Sequence, residues 1–132
     1  MSNECVCAAI QLLDAIIAGD MATALEALHD DCVIHEPESL WYRGDWSGPG
    51  GFQQILGLMA DKVEMAVRAY DVSPCDDRAV MTAQITMTSR ATGRTIDFPV
   101  TELYQARDGQ IIDMDIYYKD TSALCALVGE PG

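Results

Sequence analysis

The run from Arg94 to Asp120, RTIDFPVTELYQARDGQIIDMDIYYKD, limits the fold of this chain more than any other part of it. At its centre Arg107-Asp108-Gly109 puts an Asp-Gly turn between two alternating arms, a strong signal for an antiparallel hairpin. On the first arm Ile96, Phe98, Val100, Tyr104 and Ala106 share one face by two-residue periodicity, with Glu102 among them. On the second arm Ile112, Met114, Ile116 and Tyr118 share a face, while Asp113, Asp115 and Lys119 point away. A carboxylate in an apolar row must find a partner, take up a proton or face a wet cavity, because burying it charged and alone is costly.

Upstream, Cys5 to Ala18 places Val6, Ala9, Ile10, Leu13, Ile16 and Ile17 at helical spacing. Gly19 stops that helix and Asp20 caps a short second one, Met21 to Leu28. Cys32 to Glu36 reads as a short strand ended by Pro37. Glu38 to Gly51 has no clear period and is rich in aromatics and glycine, as functional loops often are. Phe52, Ile55, Leu56, Met59 and Val63 mark a third helix. Strands are expected at Val67 to Ser73, Arg78 to Ser89, Thr95 to Ala106 and Gln110 to Lys119, then a helix from Thr121 to Val128. Helices first and four antiparallel strands after them give an α+β fold. Three helices and a short strand then cover one face of a curved sheet, making a cone with an apolar pocket. Residues 1–132 are expected to form one domain, enough to bury about two-thirds of the unfolded surface.

Composition narrows the partners. A net charge of −13 with only eight Lys and Arg argues against nucleic acid and anionic membrane surfaces. No stretch is long and apolar enough to span a bilayer, and the start lacks the basic region and cleavage site of a signal peptide, so a cytoplasmic setting is expected. Five cysteines at irregular spacing read as reduced thiols. The Cys5-x-Cys7 pair has no second ligand pair, so no metal and no cofactor are expected.

The candidate site residues follow from these faces. Glu102 is the first choice for proton transfer, since an apolar setting raises a carboxyl pKa towards neutrality. His35 alternates with Val33 and is expected to point inward as its partner. One of Glu36 and Glu38, which flank Pro37, is expected at the cavity mouth, with Arg43 as a charge partner. Trp41, Tyr42 and Trp46 are candidates for a wall or lid over an apolar ligand. Gln84 shares a face with Thr82 and Thr86, opposite Met81, Ala83, Ile85 and Met87. One of these faces should meet the cavity, and an exposed Met/Ile stripe would build a homodimer through the outer sheet face. Tyr118, Phe98, Met114 and Ile116 complete the expected binding set. Asp115 points off that face unless a bulge turns it.

Two segments, LHDDCVIHEPESLWYRGDWSGPGGF and FPVTELYQARDGQIIDMDIYYKDTSAL, resemble the SnoaL-like branch of the nuclear transport factor 2-like superfamily. The resemblance implies the same cone and acid/base enzymes among the relatives: isomerases, cyclases and epoxide hydrolases acting on small hydrophobic oxygenated molecules such as polyketide, terpenoid or steroid-like intermediates. It also admits non-catalytic binding proteins, because this fold hosts many functions. The cavity histidine of SnoaL-like cyclases falls at Glu102 and their catalytic aspartate at Ile116. The Arg/Asp pair of limonene-epoxide-hydrolase-like enzymes falls at Gln84 and Thr86. The usual base of both groups is therefore absent.

Overall fold

The computed structural model describes residues 3–131. Helix α1 (Glu4–Ala18) is opened by the Asn3 side chain, which accepts from the Cys5 and Val6 amides, and closed by Gly19. Its buried stripe is Cys5, Ala8, Ala9, Leu12 and Leu13. The helix is thus rotated only in part from the expected face: Ala9 and Leu13 are buried and Val6 and Ile16 pack against the core, whereas Ile10 and Ile17 are exposed. Small residues on the stripe let the helix approach the sheet closely, which isoleucine at those positions would prevent.

Helix α2 (Met21–Glu26) starts at the Asp20 cap and stops short of Leu28, where the chain already enters strand β1 (Leu28–Glu36). The aperiodic loop contains a short strand, β2 (Gly44–Ser47), and runs directly into α3 (Gly48–Ala60) with a proline in its first turn. Val63, expected as the end of this helix, instead begins β3 (Val63–Cys75). Strands β4 (Arg78–Ser89), β5 (Thr95–Arg107) and β6 (Gln110–Tyr118) follow, then α4 (Thr121–Val128) behind the Asp120 cap.

The six strands lie in the order β2-β1-β6-β5-β4-β3. All neighbours are antiparallel except β1 and β6, which run parallel. The early short strand therefore joins the sheet instead of covering it. Pairing with β2 and β6 satisfies its backbone on both sides, which a lone strand lying over a sheet cannot do. The curved mixed sheet wraps around α1 and α3, with the core between.

The hairpin forms as expected. Asp108 (φ 55°) and Gly109 (φ 76°) both take positive φ between the paired Arg107 and Gln110, the two-residue turn that Asp-Gly favours. A bulge beyond it leaves Ile112 between the pairs Ala106–Ile111 and Gln105–Asp113. Ile111, not Ile112, is therefore the buried residue. From Met114 onward the expected alternation holds, so Asp115 stays on the outer face and donates nothing to the interior. Tyr117 instead donates its hydroxyl to Asp115 at 2.6 Å.

On β4 the Met81, Ala83, Ile85 and Met87 stripe is buried, while Thr82 and Gln84 are exposed. This corrects two expectations. Gln84 does not reach the cavity, and no Met/Ile stripe is left on the outer face, because the helices lie on the apolar side. No helix among the described residues is long and apolar enough to cross a membrane.

Candidate active site

An apolar cavity lies between the helices and the sheet. Leu12, Leu13 and Ile16 of α1 and Phe52, Ile55, Leu56 and Met59 of α3 form one wall. Strands β3 to β6 form the other, where Met65, Met81, Met87 and Met114 contribute four further methionines. The space totals about 650 Å³ with its open mouth included, of which about 70 Å³ is open to the centre of a water molecule. A sizeable ligand must widen it, and unbranched methionine side chains are the ones that re-pack most readily.

Among the described residues three polar side chains enter this lining: Glu36 from β1, Glu102 from β5 and Tyr118 from β6. Each arrives by strand parity. Glu36 shares the inner face of β1 with buried Cys32 and Ile34. Glu102 sits between cross-strand neighbours Met81 and Ile116. Tyr118 ends the inner face of β6, and its hydroxyl meets the Tyr42 hydroxyl at 2.7 Å.

Both carboxyl groups are held far from their ordinary acidity. Glu36 is 6% exposed and its Oε1 has no hydrogen-bond partner. Loss of hydration and the nearby Glu102 charge push its pKa up to about 9, with the Tyr118 hydroxyl opposing the shift. Glu102 keeps some accessible surface because it lines the cavity. Its desolvation still raises the pKa to about 7, against a hydrogen bond donated by the fully buried Tyr104. Two such groups sharing one enclosure titrate as a pair, the first charge discouraging the second. Burial also raises the hydroxyl pKa values of Tyr42, Tyr104 and Tyr118, so all three are proton donors at neutral pH.

His35 is not the partner of Glu102. One residue before Glu36, it points to the opposite face, where its ring nitrogens meet Asp45 and Asp113 at 2.8 Å each. Burial lowers its pKa, but the bonds and charges of those two aspartates outweigh that and raise it. Its role here is to tie β2, β1 and β6 together. Glu38 is exposed and lines a second, more open hollow with His35 and Tyr117, which adjoins the cavity through Glu36, Ile116 and Tyr118. The structure thus selects Glu36 from the Glu36/Glu38 alternative. Arg43 pairs with neither, since its Nε donates to the Leu40 carbonyl at 3.0 Å.

The loop aromatics also differ from expectation. Trp41 donates to the Leu58 carbonyl, and Trp46 donates to those of Tyr42 and Arg43. Both indoles pin the loop and lie outside the cavity lining. Tyr42 is fully buried behind Tyr118, and Phe98 packs on the Tyr118 ring with centroids 5.9 Å apart. These two support Tyr118 instead of touching the cavity. Met114 and Ile116 do line it. Sequence reasoning missed Tyr104 as the donor to Glu102, although its place two residues along the same face put the two within reach. Among the described residues no group of three His, Cys, Asp or Glu side chains is arranged to hold a metal ion.

The architecture is that of the nuclear transport factor 2-like proteins. A protein of that fold from Burkholderia pseudomallei K96243, of unknown function, superposes with a TM-score of 0.86 at 19% identity, covering 97% of this chain and 98% of the other. TerC, co-crystallised with polyporic acid, gives 0.86 at 21% identity over 96% and 99% of the two chains. A protein of Xanthomonas campestris pv. campestris proposed to be a polyketide cyclase gives 0.82 at 22% identity, also over 96% and 99%. Within that fold the chain belongs to the SnoaL-like domain family, whose family model matches residues 9–114. No curated protein matches the chain.

Proposed function

We propose that this protein is a cofactor-independent acid/base enzyme acting on a small apolar oxygenated molecule, by isomerisation, cyclisation or epoxide opening. The observation that carries this reading is the pairing of Glu36 and Glu102 in one apolar enclosure with no basic side chain in its lining. Near neutral pH such a pair holds a proton on Glu36 and leaves Glu102 able to accept one, so a base and an acid face the same space. Glu102 takes the proton from substrate carbon or water. Glu36, with Tyr118 beside it, donates to the substrate oxygen on which charge develops. The pocket's apolar walls bind the substrate body and strengthen both interactions by excluding water. The family membership and the Xanthomonas structure agree with this class of chemistry.

Binding without turnover is the second reading. It is favoured by Ile116, an apolar cavity residue at the position where the resemblance puts the cyclases' aspartate. Deuterium wash-in to a panel of apolar ketones in heavy water, followed by NMR, separates the two. The wild type should exchange α-protons, and Glu102→Gln should slow this on the order of 10²–10⁴-fold while keeping its circular dichroism and ligand binding. Equal exchange by the variant removes Glu102 from the mechanism. Binding with no exchange in either protein favours the second reading. A cytoplasmic homodimer through the outer sheet face belongs to the same proposal.

A further inference from the structure

From the unpartnered Glu36 Oε1, the adjoining Glu102 and a wall otherwise apolar but for Tyr118, we infer that the cavity is a binding site for protonated apolar amines. This goes beyond the catalytic reading and does not depend on turnover. On its far side Glu36 borders a more open hollow with His35, Glu38, Asp115 and Thr121, and the groups facing it inside the cavity can be named element by element. Strand β5 brings Glu102, with Tyr104 behind it, and β6 brings Tyr118, with Tyr42 of the loop behind that. The linings from α1, α3, β3 and β4 are wholly apolar. Among the described residues no Lys, Arg or His therefore answers either carboxyl group inside the cavity.

Each class of ligand head meets these groups differently. A carboxylate or phosphate adds a third negative group to a space that already disfavours two. A hydroxyl satisfies one oxygen but brings no charge, so Glu36 stays protonated. An ammonium group satisfies Glu36 Oε1, lets both glutamates carry charge by facing each with an opposite one, and brings an alkyl body suited to the methionine walls. The chain's net charge of −13 draws cations towards it as well. Binding has a stoichiometric signature. Glu36 enters as the carboxylic acid and leaves its proton to buffer when the ammonium takes its place, with no other bond made or broken. An amine seated there also occupies the proposed acid and base, and so competes with substrate.

The test is calorimetry on the intact protein near pH 7.5 with octylamine, octan-1-ol and octanoate, each in two buffers of different ionisation enthalpy. Octylamine should bind at least about tenfold tighter than octan-1-ol, octanoate weakest. Only the amine's heat should depend on the buffer, corresponding to release of about one proton. Its affinity should rise from pH 6 to pH 9, as fewer protons remain to be displaced. Glu36→Gln should abolish the buffer dependence and weaken the amine while sparing the alcohol. Should that variant fail to fold, loss of the carboxylic-acid carbonyl stretch on adding octylamine to the wild type reads the same event by infrared difference. Octylamine binding no tighter than the alcohol, or binding without proton release, overturns the inference. Neither outcome touches the wash-in result that decides the catalytic reading.

Discussion

Glu36 and Glu102 stand two strands apart in the sheet, separated by β6, and the Glu102 charge helps to raise the pKa of Glu36. The free-enzyme rate profile should therefore be bell-shaped, rising through about pH 7 as Glu102 loses its proton and falling through about pH 9 as Glu36 does. Tyr104→Phe removes the donor that favours the Glu102 carboxylate, so its pKa climbs and the rising limb moves to higher pH. A profile with that limb unmoved shows that the hydroxyl is only structural. Stability carries the same signature. Unfolded Glu36 titrates near its ordinary 4.5, whereas the folded group keeps its proton to about 9. Between those values the folded state binds more protons, so stability declines as pH rises and is fully retained below the lower one. Glu36→Gln lacks this slope. It should be more stable than the wild type by about 1–3 kcal/mol at pH 8, with the gap closing below about pH 4, as urea titrations across pH would read.

Among the elements, the join between β2 and α3 is the tightest. Gly48 has φ 72° and a Cβ placed on it would meet the Asp30 carbonyl oxygen at 3.1 Å. Gly93 has a similar φ of 74° and open space around it. Gly93→Ala should cost about 1 kcal/mol for backbone conformation alone. Gly48→Ala should cost distinctly more, about 2–3 kcal/mol, because the β1 backbone must also shift. Urea unfolding of the two variants side by side measures the difference. The hairpin, β4 and the α4 cap could be read from the sequence because turn chemistry and alternation are local signals. β2 could not, since four residues with half their side chains exposed carry no period, and its strand pairing comes from β1. The inward placing of His35 failed for a related reason. The alternation of Val33 with His35 suggests an inner row, but Cys32, Ile34 and Glu36 form the buried one, and a shift of one residue exchanges the two faces. Glu102 was legible as the oddity in its row, whereas its relation to Glu36 depends on a parallel pairing that no local pattern records.

For the molecule as a whole, the outer sheet face is polar, with Arg68 donating to Thr86 and Thr86 to Asp97 across three strands. A homodimer on this face must therefore bring together two polar surfaces on protomers that each carry a charge of −13. Such self-association should strengthen as salt screens the repulsion, opposite to what oppositely charged partners show. Sedimentation velocity at about 0.05 and 0.5 M NaCl checks this, and a monomer at both salts rejects the dimer.

The place of β6, third in the sheet between β1 and β5, has a consequence for assembly. During synthesis the β3-β4-β5 meander can zip up as it emerges, but the first strand and its appended β2, although they can meet each other and α3, have no link to that meander until the last strand arrives. Leu28 finds Ile111 only after more than half the chain has been made. Long-range pairing of this kind is slow to close. The two glutamates are thus kept apart in the nascent protein, and the chamber that alters their chemistry exists only once the final strand has been inserted.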